Sequence, residues 1–344
     1  MTLSEVSAKS KEMLTIFVLG VVGLLALIWV VSFIRSLNQP PPAKPTVAFG
    51  KLPEVGFPQS VVNTKFSYNI QTISGSLPVF PDRETVYKMQ QTAPSLLALQ
   101  NATTLVNQIS FTGTPTQLSE SEYQWVNTDT LPKTLTFNIF TNNFMLTSDF
   151  MHNSDVQQGN NLPDQNTAIS TVNSFLVTAS LLPNDIDASK TKATLLAITN
   201  GQLLPASSLS TTQVIEVDLF QNNVHGLPVF YPDPTHSTMN FYVAGGDSGP
   251  QIVQANFVHQ GISGTSATYP IITAKQALTA LENNQGYIAS YDGPGNSVTI
   301  YSIQLGYYMG KDTQNYLMPI VVFEGDNNFF AYVPAVSSDW IQSN

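Results

Sequence analysis

The longest apolar stretch of the chain lies near its start, over residues 13–34. It contains no charged side chain, and a helix that rises about 1.5 Å per residue needs about 20 residues to cross a hydrocarbon core about 30 Å thick. A cleaved signal peptide has a shorter apolar run of roughly 7–15 residues. The pattern therefore predicts a transmembrane helix over residues 13–34, a cytoplasmic tail over residues 1–12 and a proline-rich linker over residues 35–58.

Positive charge on the two sides of this run predicts its orientation. Lys9 and Lys11 precede the run, whereas only Arg35 follows it closely, and segments rich in Lys and Arg stay on the cytoplasmic side. We therefore expect a single-pass protein of the cell membrane with its N-terminus in the cytoplasm and its C-terminal domain extracytoplasmic.

Beyond the linker, apolar residues recur at helical spacing in three segments. Their spacing of three and four residues predicts helices over Ser95–Ile109, Asn166–Leu182 and Thr273–Asn284. The third segment opens with Thr273, and Gln276 follows three residues later. This is the pattern of a capping box, in which each of the two side chains accepts a hydrogen bond from a backbone N–H group at the start of the helix.

Short runs of alternating apolar and polar residues follow each predicted helix. Such alternation predicts strands with one buried face, and tight turns that contain Asn or Gly predict antiparallel neighbours. The order of one helix followed by antiparallel strands occurs three times, over residues 59–150, 160–262 and 268–344. The sequence thus predicts an α+β fold in which a single N-terminal transmembrane helix is followed by tandem modules of a helix and an antiparallel sheet.

The composition narrows the range of functions. Only 10% of the residues are charged, and 13 Lys and Arg against 23 Asp and Glu give a formal charge of −10. This balance excludes a nucleic-acid partner, because phosphate binding requires a basic surface. Cysteine is absent and there are four histidines, so thiolate chemistry and cysteine metal sites are excluded. We therefore expect no enzymatic activity and no cofactor.

One glycine-rich segment, over residues 246–250, is similar to the loop that carries the nucleophile of trypsin-like proteases. Its Asp247 and Ser248 would need a histidine that is oriented by an acid, and the histidines of this chain do not lie in sequence contexts typical of that role. A turn between two strands explains the same residues. A hydrolase built on Asp247 and Ser248 is therefore kept only as a minor alternative.

Asp233 and His236 offer two types of metal ligand within four residues. A single proline-rich loop supplies at most these two ligands, and His225 or His259 would have to complete the site. We interpret the segment as a solvated loop and predict no metal site.

Aromatic side chains are the remaining candidates for a binding surface. Tyr307 and Tyr308 follow a predicted strand, and Trp340 lies near the C-terminus. Exposed aromatic residues provide contact area at small entropic cost, so these three residues are predicted to form an interaction surface. The alternative is that they fill a core between a sheet and a helix.

The C-terminal segment resembles a known type of module. The residues that carry the resemblance are those over 272–278, 286–288, 298–308, 319–323 and 331–334. They are similar to the PepSY-like module of YycI/YycH-type proteins, which are single-span extracytoplasmic regulators of a cell-wall sensor kinase. The resemblance implies a non-enzymatic role and a partner among envelope or membrane proteins, such as a sensor kinase, and it implies no catalytic residues.

Three functions are consistent with these patterns. The first is a non-enzymatic, membrane-anchored protein whose extracytoplasmic domain binds or regulates another envelope or membrane protein. The second is an anchored protein that binds or assembles cell-wall polymer or a surface structure. The third is the minor hydrolase alternative.

Overall fold

The predicted membrane anchor is the first expectation that the computed structural model changes. Among the described residues, no helix is long and apolar enough to cross a membrane: the longest has 14 residues, whereas a span needs about 20. This finding overturns the predicted localisation as a single-pass protein of the cell membrane with an extracytoplasmic domain. The predicted span over residues 13–34 lies outside the described residues except at three positions. The described residues are 23, 27, 29, 44–62 and 64–342.

Strands make up most of the regular structure. In the described part of the chain they are β1 (Ser67–Ile70), β2 (Arg83–Met89), β3 (Thr116–Gln117), β4 (Glu122–Asn127), β5 (Lys133–Asn138), β6 (Phe144–Ser148), β7 (Lys192–Thr199), β8 (Gln202–Pro205), β9 (Val214–Leu219), β10 (Val229–Phe230), β11 (Met239–Ala244), β12 (Gln251–Phe257), β13 (Ile262–Pro270), β14 (Tyr287–Ser290), β15 (Ser297–Tyr308), β16 (Tyr316–Gly325) and β17 (Phe329–Pro334). Over residues 44–342, the α-helices of the described part are α1 (Ala98–Gln108), α2 (Ser154–Gln157), α3 (Gln165–Thr178) and α4 (Ala274–Glu282), and short 3₁₀ turns occur at Phe150–His152, Leu209–Thr211 and Ser338–Trp340.

A nine-stranded antiparallel sheet replaces the first two predicted modules. Its strands lie in the order β3-β4-β5-β6-β12-β11-β9-β7-β8. The pairing of β6 with β12 joins the strands that were predicted for residues 59–150 to those predicted for residues 160–262. The predicted α+β fold with tandem helix-and-sheet modules is therefore wrong, because pairings between distant segments of the chain decide the topology.

The second sheet has eight strands, and these come from the beginning, the middle and the end of the unit over residues 45–344. Its main path is β1-β15-β16-β17-β14; β10 also pairs with β15, and β2 pairs with both β13 and β16. Strands β1 and β10 run parallel to β15, and the other pairs are antiparallel. The predicted PepSY-like module over residues 268–344 is therefore wrong, because its strands share one sheet with β1 and β2.

The three predicted helices are present, with shifted bounds, as α1, α3 and α4. The predicted capping box is also confirmed: Thr273 Oγ1 accepts a hydrogen bond from the Gln276 N–H at 3.3 Å, and Gln276 Oε1 accepts one from the Thr273 N–H at 2.9 Å. Helices α1 and α3 cover one face of the nine-stranded sheet, where Val106 and Val172 share a core with Trp125. The opposite face of that sheet is free of these helices.

The capping box at the start of α4 can be tested by two threonine substitutions. We expect Thr273→Ala to lower the free energy of unfolding by about 1 kcal/mol, because the N–H group of Gln276 loses its acceptor. Thr279→Ala is the matched control, since Thr279 is exposed in the interior of the same helix, where alanine is the better helix former. Urea denaturation measures both changes. Equal losses in the two variants would contradict the capping role.

Candidate functional site

Polar side chains gather on the face of the nine-stranded sheet that points away from α1 and α3. In β9, Val217 packs into the core with those helices, so its neighbours Glu216 and Asp218 point to the opposite face, because successive side chains of a strand alternate. The register with β11 places Tyr242 opposite Glu216 and Asn240 opposite Asp218. Four polar side chains of two neighbouring strands therefore meet at one place.

Both carboxylates of this group are buried: Glu216 is 4% exposed and Asp218 is 0% exposed. Asn240 Nδ2 donates to Glu216 Oε1 at 2.7 Å and to Asp218 Oδ1 at 3.1 Å. The Tyr242 hydroxyl donates to Glu216 Oε1 at 3.1 Å, and the Ser237 N–H donates to Asp218 Oδ1 at 2.9 Å. No hydrogen bond from any described residue reaches the other oxygen, Asp218 Oδ2, although it is buried as well.

His236 completes the group from the loop between β10 and β11. Its Nδ1 lies 3.2 Å from Glu216 Oε1 and 3.4 Å from Asp218 Oδ2. These are ion-pair distances for a protonated ring, although neither contact has the geometry of a hydrogen bond. Asp233 Oδ1 stabilises the loop that carries His236, because it accepts hydrogen bonds from the N–H and hydroxyl groups of Thr235, at 2.8 and 2.7 Å. One atom each from Glu216, Asp218 and His236 lie within 4.8 Å of one another, an arrangement that could hold a metal ion.

Burial and pairing act in opposite directions on ionisation in this group. Burial raises the pKa of Glu216, but its contacts with His236, Asn240 and Tyr242 outweigh this effect and hold the pKa below its usual value. The carboxylates of Asp218 and Glu216 raise the pKa of His236 to about 10. Burial raises the pKa of Tyr242, so its hydroxyl stays neutral and can donate to Glu216. Without a bound cation, the His236 ring is therefore protonated at neutral pH.

A cavity of about 680 Å³ opens beside this group. Glu216, His236 and Tyr242 line it, together with Lys192 and Lys311. Neither lysine forms an ion pair with a carboxylate of β9 among the described residues. The volume is within the range of sites for small molecules, about 300–1,000 Å³.

The predicted interaction surface lies mostly inside the protein. Tyr307 is 0% exposed and Tyr308 is 1% exposed. The Tyr307 hydroxyl donates to a backbone carbonyl of β2 at 2.8 Å, and the Tyr308 ring packs edge-on against Phe57 with the centroids 4.7 Å apart. Trp340 is partly buried. The two tyrosines are thus core residues and not a surface, because β15 is covered on both faces at its C-terminal end.

The segment over residues 246–250 forms the predicted turn between β11 and β12, with a hydrogen bond from the Gly249 N–H to the Gly246 carbonyl at 3.2 Å. Asp247 and Ser248 line a separate cavity that no histidine lines. Within the described residues, no hydrogen bond joins Ser248 to a histidine, so the geometry of a serine hydrolase is not formed there. Each histidine ring has a different polar neighbour. His152 lies 2.6 Å from Asp149, His225 lies 3.3 Å from Tyr87, His259 lies 2.9 Å from Asp185, and His236 lies beside Glu216 and Asp218.

The candidate site combines a residue that the sequence singled out with two that it did not. His236 was paired with Asp233, but the carboxylates nearest to it belong to Glu216 and Asp218. The signal for them is a pair of acids two residues apart in the otherwise apolar strand over residues 214–219. Alternation places both acids on one face of the strand.

Comparison with known proteins does not assign a family to the chain. No protein-family model matches it, and no curated protein matches it. A crystal structure of an uncharacterized protein from Eubacterium rectale is similar over 80% of this chain and 90% of its own, with 12% sequence identity and a TM-score of 0.32. A likeness at that score carries no argument, so the interpretation of the site depends on its own residues.

The ionisation of His236 predicts how stability changes with pH in a buffer that contains EDTA. The neighbouring carboxylates stabilise the protonated ring, so its contribution to folding is complete below the ordinary pKa of 6.5 and is lost as the pH rises to the folded-state pKa of about 10. Thermal denaturation should show the largest difference between wild type and His236→Gln at about pH 6 and a smaller one at about pH 10.

The matched control for this prediction is His152→Gln. His152 is an exposed histidine whose side chain lies 2.6 Å from Asp149, and an exposed ion pair contributes little to stability. Its effect on the melting temperature should be small at every pH. A difference between wild type and His236→Gln that does not vary with pH would contradict the assignment of a protonated His236.

Proposed function

We propose that this protein is a non-enzymatic binding protein whose cavity beside β9 takes a ligand with a positively charged group. The observation that carries the proposal is Asp218 Oδ2, a buried carboxylate oxygen that receives no hydrogen bond from the described residues and whose ion-pair neighbour among them is His236 Nδ1, at 3.4 Å. A buried carboxylate oxygen whose neighbour is an ion pair at 3.4 Å without hydrogen-bond geometry is incompletely satisfied. In native proteins such an atom calls for an explanation such as a functional role, an ordered water or a bound ion.

The charges around the cavity support a ligand of mixed polarity. Glu216 and His236 line the cavity, and Asp218 lies directly behind them, 3.4 Å from His236 Nδ1. A cationic group at this end would take the place beside the Asp218 carboxylate that the protonated His236 ring holds without a ligand. Lys192 and Lys311 line the same cavity and are free of ion pairs with Glu216 and Asp218. They suit a negative or polar group on the remainder of the ligand.

Binding without chemistry also agrees with what the resemblance to YycI/YycH-type regulators implies. That resemblance adds a protein partner, such as a sensor kinase, to the small-ligand site proposed above. The partner and the alternative of cell-wall polymer stay predictions, since no described contact tests them.

A thermal-shift experiment with named cations tests the proposal. The probes are putrescine, arginine, ZnCl₂ and MnCl₂, with sodium acetate as the anion control, added to EDTA-stripped and dialysed full-length protein. A probe at 100 times its dissociation constant stabilises the folded state by about 2.7 kcal/mol. We expect at least one cation to raise the melting temperature of wild type and to have a much smaller effect on Glu216→Gln, which keeps the shape of the side chain and loses its charge.

The matched control for this experiment is Asp247→Asn. Asp247 is an exposed acid on the turn between β11 and β12, away from the cavity, so the variant should respond like wild type. If no cation stabilises wild type, or if Glu216→Gln responds equally, the proposed function is wrong.

A further inference from the structure

Resting on this proposed function, we infer that the cation at the cavity is a divalent transition-metal ion, of which Zn²⁺ is the best fit, and that its ligands are Glu216, Asp218 and His236. One oxygen of each carboxylate and one ring nitrogen lie within 4.8 Å of one another. They come from two neighbouring parts of the fold, strand β9 and the loop before β11. The Asp218 oxygen that faces His236 is the buried one without a hydrogen bond.

The distances between the ligand atoms agree with a shared metal ion. Zn²⁺ binds His nitrogen and carboxylate oxygen at about 2.0–2.2 Å, so two ligands at tetrahedral or octahedral angles lie about 3.0–3.5 Å apart. His236 Nδ1 lies 3.2 Å from Glu216 Oε1 and 3.4 Å from Asp218 Oδ2. Nδ1 is buried and makes no hydrogen bond with either oxygen. It is close enough to both to share a metal ion with them.

Hydrogen bonds from neighbouring residues fix the orientation of these two carboxylates. In metal sites, the ligands are oriented by hydrogen bonds of the same kind. Asn240 Nδ2 donates to both carboxylates, at 2.7 and 3.1 Å, and the Tyr242 hydroxyl donates to Glu216 at 3.1 Å. The Ser237 N–H donates to Asp218 Oδ1, which leaves Oδ2 as the oxygen available to an ion. Such outer partners orient ligands, and their loss typically costs 10–100-fold in metal affinity.

The ligand types select the class of metal. Imidazole suits Zn²⁺, Fe²⁺, Ni²⁺ and Cu²⁺, whereas Mg²⁺ and Ca²⁺ prefer sites made only of oxygen. Three protein ligands leave at least one coordination position, as in zinc sites that also bind water or a substrate group. Glu216 and His236 line the cavity, so the remaining position is accessible to a ligand within it.

The competing explanation is that the cluster of a protonated His236 and two carboxylates, which is the form without a cation, is the functional form of the site. It predicts that the three side chains form an ion-paired cluster that takes up no metal. The two explanations differ in stoichiometric metal binding and in the spectrum of a bound metal. Both can be measured on the full-length protein.

The experiment is a calorimetric titration of EDTA-stripped, dialysed protein with ZnCl₂, and with MgCl₂ as the comparison ion. We expect one Zn²⁺ per chain and no comparable Mg²⁺ binding. His236→Gln and Asp218→Asn should each lower the Zn²⁺ affinity at least about 100-fold, and Tyr242→Phe should lower it about 10-fold. His152→Gln should bind like wild type, because His152 and Asp149 are exposed and lie outside the cavity.

A second measurement separates the site from adventitious binding at the surface. With CoCl₂, the wild-type protein should gain visible ligand-field absorption that is lost in His236→Gln and retained in His152→Gln. Circular dichroism and thermal melts establish that the variants are folded. If Asp218→Asn does not fold, His236→Gln carries the test, since the His236 side chain is 41% exposed.

Two results would overturn the metal assignment: wild type without stoichiometric Zn²⁺, or Zn²⁺ affinity unchanged in both His236→Gln and Asp218→Asn. The proposed function fails separately. If putrescine or arginine stabilises wild type more than Glu216→Gln while Zn²⁺ does not bind, the cavity binds an organic cation and only the metal assignment is wrong. If no cation acts through Glu216, both proposals are wrong.

Discussion

The alternation of side chains in β9 is the constraint on which the candidate site depends. All six residues of this strand are buried, and Ile215, Val217 and Leu219 belong to the core that α1 and α3 cover. A slip of one residue in the register would move Glu216 and Asp218 into that core, where unpaired charges cost several kcal/mol each. The apolar face of β9 therefore positions the carboxylates on the other face. A change in the packing of this core would also change the site.

Local signals predicted the helices α1, α3 and α4 but not the short α2, and distant pairings determined the rest of the fold. The capping box of Thr273 and Gln276 and the helical spacing that follows it lie within about ten residues, so α4 could be recognised from its own sequence. The pairings of β6 with β12 and of β2 with β13 and β16 have no such local signal, because a strand pattern states which face is buried but not which strand lies beside it. The prediction of tandem modules failed for that reason.

Only one residue of the candidate site, His236, was identified from the sequence, for a similar reason. His236 stood out as a possible ligand, but its neighbours Glu216 and Asp218 lie 20 and 18 residues earlier in a strand, and only the antiparallel pairing of β9 with β11 brings them near it. Tyr307 and Tyr308 show the opposite error. Two adjacent tyrosines point to opposite faces of a strand, and the sequence does not tell whether both faces are covered, as they are at the end of β15.

The parallel pairing of β1 with β15 has a consequence for how the protein folds while it is synthesised. The Ser67 hydroxyl meets the carbonyl of Asn296, which is 229 residues later in the chain. At a synthesis rate of about 5–20 residues per second, roughly 10–50 s pass between the synthesis of β1 and the synthesis of its partner β15. All strands of the nine-stranded sheet lie between β3 and β12, in one stretch that emerges earlier. We therefore expect the nine-stranded sheet, with Glu216 and Asp218 in place, to assemble while the eight-stranded sheet is still incomplete.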